Sequence, residues 1–167
     1  MNTATFLAMT LTCAPAVHVD TAHALVEVES GFNPWAIGVV GGALLRQPRS
    51  HADAIATAAA LMAAGHNFSV GLAQINVRNF ARLGLTLESA FEPCGNLAAM
   101  QAVLGECFDR SSRLRPNDSQ RSLRMALSCY YSGNFTVGFR DGYVRRVVNA
   151  ATNTQLLIPQ RTSKEKS

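Results

Sequence analysis

The sequence predicts a mainly α-helical domain with little or no β structure, and three observations carry that prediction. Apolar residues recur at helical spacing, as in Leu97, Met100, Val103, Leu104 and Cys107. Glycine follows several of these periodic segments, at Gly31, Gly65, Gly84 and Gly133, where a left-handed cap ends a helix. No run of alternating apolar and polar residues is long enough to argue for a strand. With 167 residues, 48% hydrophobic and 16% charged, the chain can bury one core and is not of disordered composition.

The elements follow in order. "MNTATFLAMTLTCAPAV" is apolar but has no Lys or Arg before its hydrophobic run. It is a poor secretory signal as written, and reads as a processed remnant or a helix packed on the domain. Asp20 or Thr21 can cap a helix through "AHALVEVES", which Gly31 ends and Pro34 keeps from continuing. Residues 38–50 carry glycines and a proline and read as loop. "HADAIATAAALMAAG" is an Ala-rich helix, and "HNFSVGLAQIN" is a loop or short extended segment. "VRNFARLG" is a short helix, and "LESAFEPCG" a turn or short helix. "NLAAMQAVLGECFDRSSR" and "RSLRMALSCYYSG" are two longer helices, and "FRDGYVRRVVNAAT" is the last. The expected organisation is an N-terminal segment over 1–19, a domain over 20–151 and a polar, flexible tail over 152–167. No stretch approaches the ~18 apolar residues of a transmembrane helix.

Net charge is +4, from thirteen Arg and two Lys against eleven acidic residues. This balance suits an anionic partner such as cell wall, membrane surface or nucleic acid, with solubility alone as the plain alternative. No basic block with interleaved aromatics is present, which argues against a nucleic-acid partner. Cys13, Cys94, Cys107 and Cys129 form no CxxC pair, and the four His do not stand beside them at ligand spacing. No metal and no organic cofactor is expected. Two disulfides or four buried thiols are both compatible with the count. Cys94 and Cys107 do not pair with each other if their helix is continuous, because thirteen residues of helix span about 20 Å.

"VEVESGFNPWAIG", residues 26–38, carries two glutamates that are either ordinary solvated helix residues or, for one of them, an acid held for chemistry. Glu27 and Glu29 lie about 200° apart on a helix, so they cannot act together on one bond. Glu29 falls in the last turn, beside Gly31, Phe32 and Trp35. The negative end of the helix dipole and apolar neighbours both raise a carboxyl pKa there, which would hold a proton ready for a general acid. "GLAQIN" puts the amide of Gln74 just after Gly71, where an amide can read sugar hydroxyls or acetamido groups. "ALSCYYSGN" puts Tyr130 near a helix end, where a phenol can hydrogen-bond a neutral carboxyl or orient a substrate.

The ordered set Glu29-Ser30, Gly71-Leu72-Ala73-Gln74, Asn96-Leu97 and Ala126-Leu127-Ser128-Cys129-Tyr130-Tyr131-Ser132-Gly133 resembles the soluble lytic transglycosylase (SLT) domain, a goose-type, lysozyme-like fold. "VESGFNPWAIG", "GHNFSVGLAQIN" and "CYYSGN" are similar to one branch, the cell-wall-degrading subunit of type IV secretion and conjugation machines. The resemblance implies a periplasmic enzyme that cuts peptidoglycan glycan strands, with other subunits of such a machine as partners. It implies Glu29 as the single catalytic acid and base. Ser30 and Tyr130 would position it or the sugar. Gly71, Leu72, Ala73, Gln74, Asn96 and Tyr131 would form the saccharide site.

Ala73 stands where the family usually has Met, and Tyr131 where it usually has Asn. The first change bears on saccharide affinity, and the second on how Tyr130 is anchored. Two other functions stay open at this point. A hydrolytic lysozyme would need a second carboxylate, for which Asp53, Asp109, Asp118 and Asp141 are candidates. A weakly active scaffold would dock secretion subunits on the wall through the basic surface and the polar tail. Within the implied fold and compartment, one or two disulfides should form, with Cys13–Cys107 as the expected pair.

Overall fold

A computed structural model describes residues 3–157. The order is α1 (Thr3–Cys13), α2 (Val19–Ser30), β1 (Ile37–Val39), α3 (His51–Ala63), β2 (Phe68–Val70), β3 (Ile75–Asn76), a 3₁₀ turn (Val77–Asn79), α4 (Phe80–Leu83), α5 (Leu87–Phe91), α6 (Pro93–Leu114), α7 (Ser119–Ser132), α8 (Val137–Arg140) and α9 (Tyr143–Leu157). The expectation of a mainly helical chain holds. The strands form one antiparallel sheet in the order β1-β2-β3, with Ile37 opposite Val70 and Val70 opposite Ile75. Gly38 and Val39 of β1 fall in the stretch 38–50 expected as loop, and strands this short carry too few positions to show alternation.

The helix ends follow local chemistry. Gly31, Gly84 and Gly133 take left-handed caps at the ends of α2, α4 and α7. The start of α2 differs from expectation: it begins at Val19, and His18 Nδ1, not Asp20 or Thr21, accepts the hydrogen bond from a first-turn N–H, that of Asp20. Ser50 caps α3 by accepting from Asp53 N–H, and Asp118 caps α7 by accepting from Arg121 N–H. The last helix continues through Leu157, so residues 152–157 are helical; residues 158–167 of the expected tail lie outside the described residues.

The core gathers one face of each long helix. Leu25 and Val26 of α2 are buried with Val144 and Val147 of α9, and Leu97, Met100 and Leu104 of α6 with Ala126 and Leu127 of α7. Each buried Leu, Val or Met among them contributes about 1.5–3 kcal/mol. Phe6 of α1 is also fully buried, edge-on to Phe32 and His23, so α1 is part of this core.

Two disulfides form, Cys13–Cys94 and Cys107–Cys129, with Cα separations of 5.2 and 5.8 Å. This corrects the expected Cys13–Cys107 pair. The end of α1 reaches the first turn of α6, where Cys94 stands, and Ala16 N–H then donates to Gln101 Oε1 farther along. Cys107 is about 20 Å up the same helix, facing α7. Non-reducing peptide mapping should recover those two linked pairs. A Cys13→Ser variant, opening a link between residues 81 apart, should lose roughly 3–4 kcal/mol in a urea melt.

Candidate active site

The chain reverses sharply after Glu29. Gly31 (φ 57°) and Phe32 (φ 63°) are consecutive left-handed residues, and for Phe32 that conformation is strained. Packing of Phe32 against Phe6 and His23 holds the turn. Glu27 leans the other way and pairs with His23 at 3.8 Å. The two glutamates therefore face apart, as their spacing requires.

Glu29 is half-buried at the edge of a cleft of about 770 Å³. β1 to β3 and the segment after them form one wall, with Val39, Ser69, Gln74, Asn76 and Arg78. α6 and α7 form the other, with Val103, Glu106, Arg110, Tyr130 and Tyr131, and with the Cys107–Cys129 disulfide joining them. Burial raises the Glu29 pKa from 4.5 to about 7, opposed by a hydrogen bond from Tyr143 and by the charge of Arg146. The Tyr143 hydroxyl donates to Glu29 Oε1 at 2.5 Å, and burial with the nearby Glu29 charge pushes its own pKa upward.

Tyr143 escaped the sequence reading. It opens α9 in the "GYVRRVV" stripe with Val144 and Val147, and all three are buried, so it reads as core there. What brings it to Glu29 is the loop after α7. Ser128 Oγ donates to Asn134 O and accepts from Gly138 N–H, which folds the chain back across α7. A Cβ at Gly138 would lie 2.7 Å from the Ser128 Cα, so only glycine permits this approach.

The residues of the saccharide motif come together, but mainly as scaffold. Asn96 is fully buried: its Oδ1 accepts from Ala73 N–H, and its Nδ2 donates to Val70 O and Ala90 O. With its side chain fully buried and its amide so occupied, it holds the loop in place from within the core. Leu72 and Ala73 are likewise fully buried. Tyr130 does not reach Glu29 through its hydroxyl but donates to Ala73 O at 2.6 Å, and burial and the Glu29 charge raise its pKa. It ties the loop to α7. Ser30 Oγ bonds back to Val26 O in its own helix.

Gln74 lines the cleft in a left-handed conformation, φ 49°. Its Nε2 donates to Ala36 O and Gly71 O. Its Oε1 lies against Gly38, where an added Cβ would be 2.7 Å away. The cleft also holds Asn67, whose buried Oδ1 meets no hydrogen-bond donor among the described residues.

None of the four aspartates considered as a second carboxylate lines the cleft. Asp53 is held by Arg46 and Arg49 N–H, Asp118 caps α7 and Asp141 pairs with Arg140. The second carboxylate in the cleft is Glu106, gripped by Arg82 Nη1 at 2.6 and 2.8 Å. Sequence reading passed over it because it stands on the polar side of the α6 stripe. Among the described residues, no group of three His, Cys, Asp or Glu could hold a metal, and no helix is long and apolar enough to cross a membrane.

Residues 7–151 match the Transglycosylase SLT domain family. The chain is 49% identical over 154 residues to the type IV secretion system protein virB1 of Brucella suis biovar 1, covering 89% of this chain and 65% of that protein. It is 40% identical over 156 residues to protein virB1 of Agrobacterium fabrum, covering 92% of this chain and 61% of that one. The chain thus spans less than two thirds of the length of these relatives. No solved structure matches it. A glutamate closing α2, the loop that Asn96 and Tyr130 pin beside it, and a family match running from α1 into α9 agree: the chain belongs to the Transglycosylase SLT domain family.

Proposed function

We propose that this chain is a peptidoglycan lytic transglycosylase that opens the cell wall locally for a type IV secretion or conjugation apparatus. The observation that carries the reading is Glu29, a half-buried carboxyl at an open cleft with its pKa raised to about 7. At that value one group can give a proton and take one back near neutral pH. Glu29 protonates the glycosidic oxygen between N-acetylmuramic acid and N-acetylglucosamine as the C–O bond breaks. The muramic 6-hydroxyl then bonds to the anomeric carbon and returns its proton to Glu29. The product is a 1,6-anhydro ring, and no water is consumed. Tyr143 orients the carboxyl throughout, and the side chains of Gln74 and Asn67 line the cleft beside it.

The virB1 relatives support the secretion role and, with it, a periplasmic site of action with other subunits of the machine as partners. A hydrolytic reading would rest on Glu106, the second carboxylate of the cleft, but its double contact with Arg82 leaves it poorly placed to activate water. Digestion of purified peptidoglycan tests the proposal: soluble fragments should appear without new reducing ends. One new reducing end per cut would mean a hydrolase, and Glu106→Gln would then abolish activity.

A further inference from the structure

Tyr131 lies one residue past Tyr130, about 100° around α7, and does something different. Its ring stacks on that of Tyr143, with centroids 4.6 Å apart and planes 17° from parallel. Tyr131 is 44% exposed and lines the cleft, while Tyr143 beneath it is 2% exposed. The chain of contact runs from solvent through Tyr131 and Tyr143 to Glu29 Oε1. An offset stack of this kind fixes ring orientation as well as covering it. We propose that Tyr131 is a positioning residue for the acid: through the stack it holds the Tyr143 phenol aimed at Glu29 Oε1. This rests on Glu29 being the acid of the proposed function.

Facing Glu29 are Tyr143 and Arg146 from α9 and Tyr130 from α7. Across the cleft stand Arg78, Arg82, Glu106 and Arg110. The hydrogen bond from Tyr143 lowers the Glu29 pKa against the larger effect of burial. Its strength depends on the phenol staying aimed at the carboxyl, and the stack with Tyr131 fixes that ring. The side chain of Asn has no ring to make the stack.

The test is the titration of the Glu29 side-chain carboxyl by carbon NMR, assigned by its absence in Glu29→Gln. Wild type should titrate with a midpoint of about 7. Tyr131→Phe, which keeps the stack, should match it. Tyr143→Phe should raise the midpoint, and it should raise it by less in a Tyr131→Asn background than in wild type, because the hydrogen bond is already loosened there. An equal rise in both backgrounds overturns the proposal, even if Tyr131→Asn raises KM, since the ring would then serve only as a sugar wall. The NMR reading needs no substrate, so a wild type that titrates as expected but releases no fragments would count against the transglycosylase reading and not against this one.

Discussion

Glu29→Gln should release fragments from peptidoglycan about 10²–10⁴-fold more slowly than wild type, with the fold intact. The amide keeps the shape of the side chain and can still accept the Tyr143 hydrogen bond, but it has no proton to give at neutral pH. The same variant should be more stable than wild type in alkali. The Glu29 pKa rises from 4.5 to about 7 on folding, so the folded state binds the proton more tightly than the unfolded state. That stabilisation is complete below about pH 4.5 and is lost as pH climbs through 7. At 1.36 kcal/mol per unit of pKa, the loss is at most about 3 kcal/mol, less whatever water reaches the half-buried carboxyl. Urea melts at acid and alkaline pH measure it. The gap between variant and wild type should widen in favour of the variant as pH rises, and a gap independent of pH would show that Glu29 ionises freely.

Asn96→Ala should be the most damaging single change away from the acid, at roughly 3–6 kcal/mol. It strands three backbone groups in the interior, Ala73 N–H, Val70 O and Ala90 O, each costing about 1–3 kcal/mol. Activity should fall with stability, because the same amide fixes the loop whose Ala73 carbonyl receives Tyr130. Urea denaturation measures the first effect. A loss under about 1 kcal/mol would mean that water replaces the amide and that the loop is not pinned as described.

The helices were legible because their signals are local: an apolar stripe and a glycine stop. The sheet was not, since three strands of two or three residues owe their existence to pairing between residues up to 33 positions apart, Ile37 with Val70. Glu29 could be read from its place in the last turn of a helix and from the motifs that follow. Tyr143 could not, because its approach depends on the Ser128–Gly138 contact and a fold-back invisible to periodicity. Asn96 and Tyr130 stand out in the sequence only through the motif, and their contacts with the loop emerge only in three dimensions. The disulfides went astray because a helix can be reached at either end, and only the packing of α1 decides which.

In the proposed reaction one carboxyl closes an anhydro ring and no water is consumed. Peptidoglycan digested in heavy-oxygen water, with the released fragments weighed by mass spectrometry, distinguishes this from hydrolysis. Wild type should release fragments one water lighter than hydrolysis products and free of the label, and Glu29→Gln should release almost none. Label at the reducing end of the wild-type products would show that water, not the 6-hydroxyl, takes the anomeric carbon, and would overturn the transglycosylase reading.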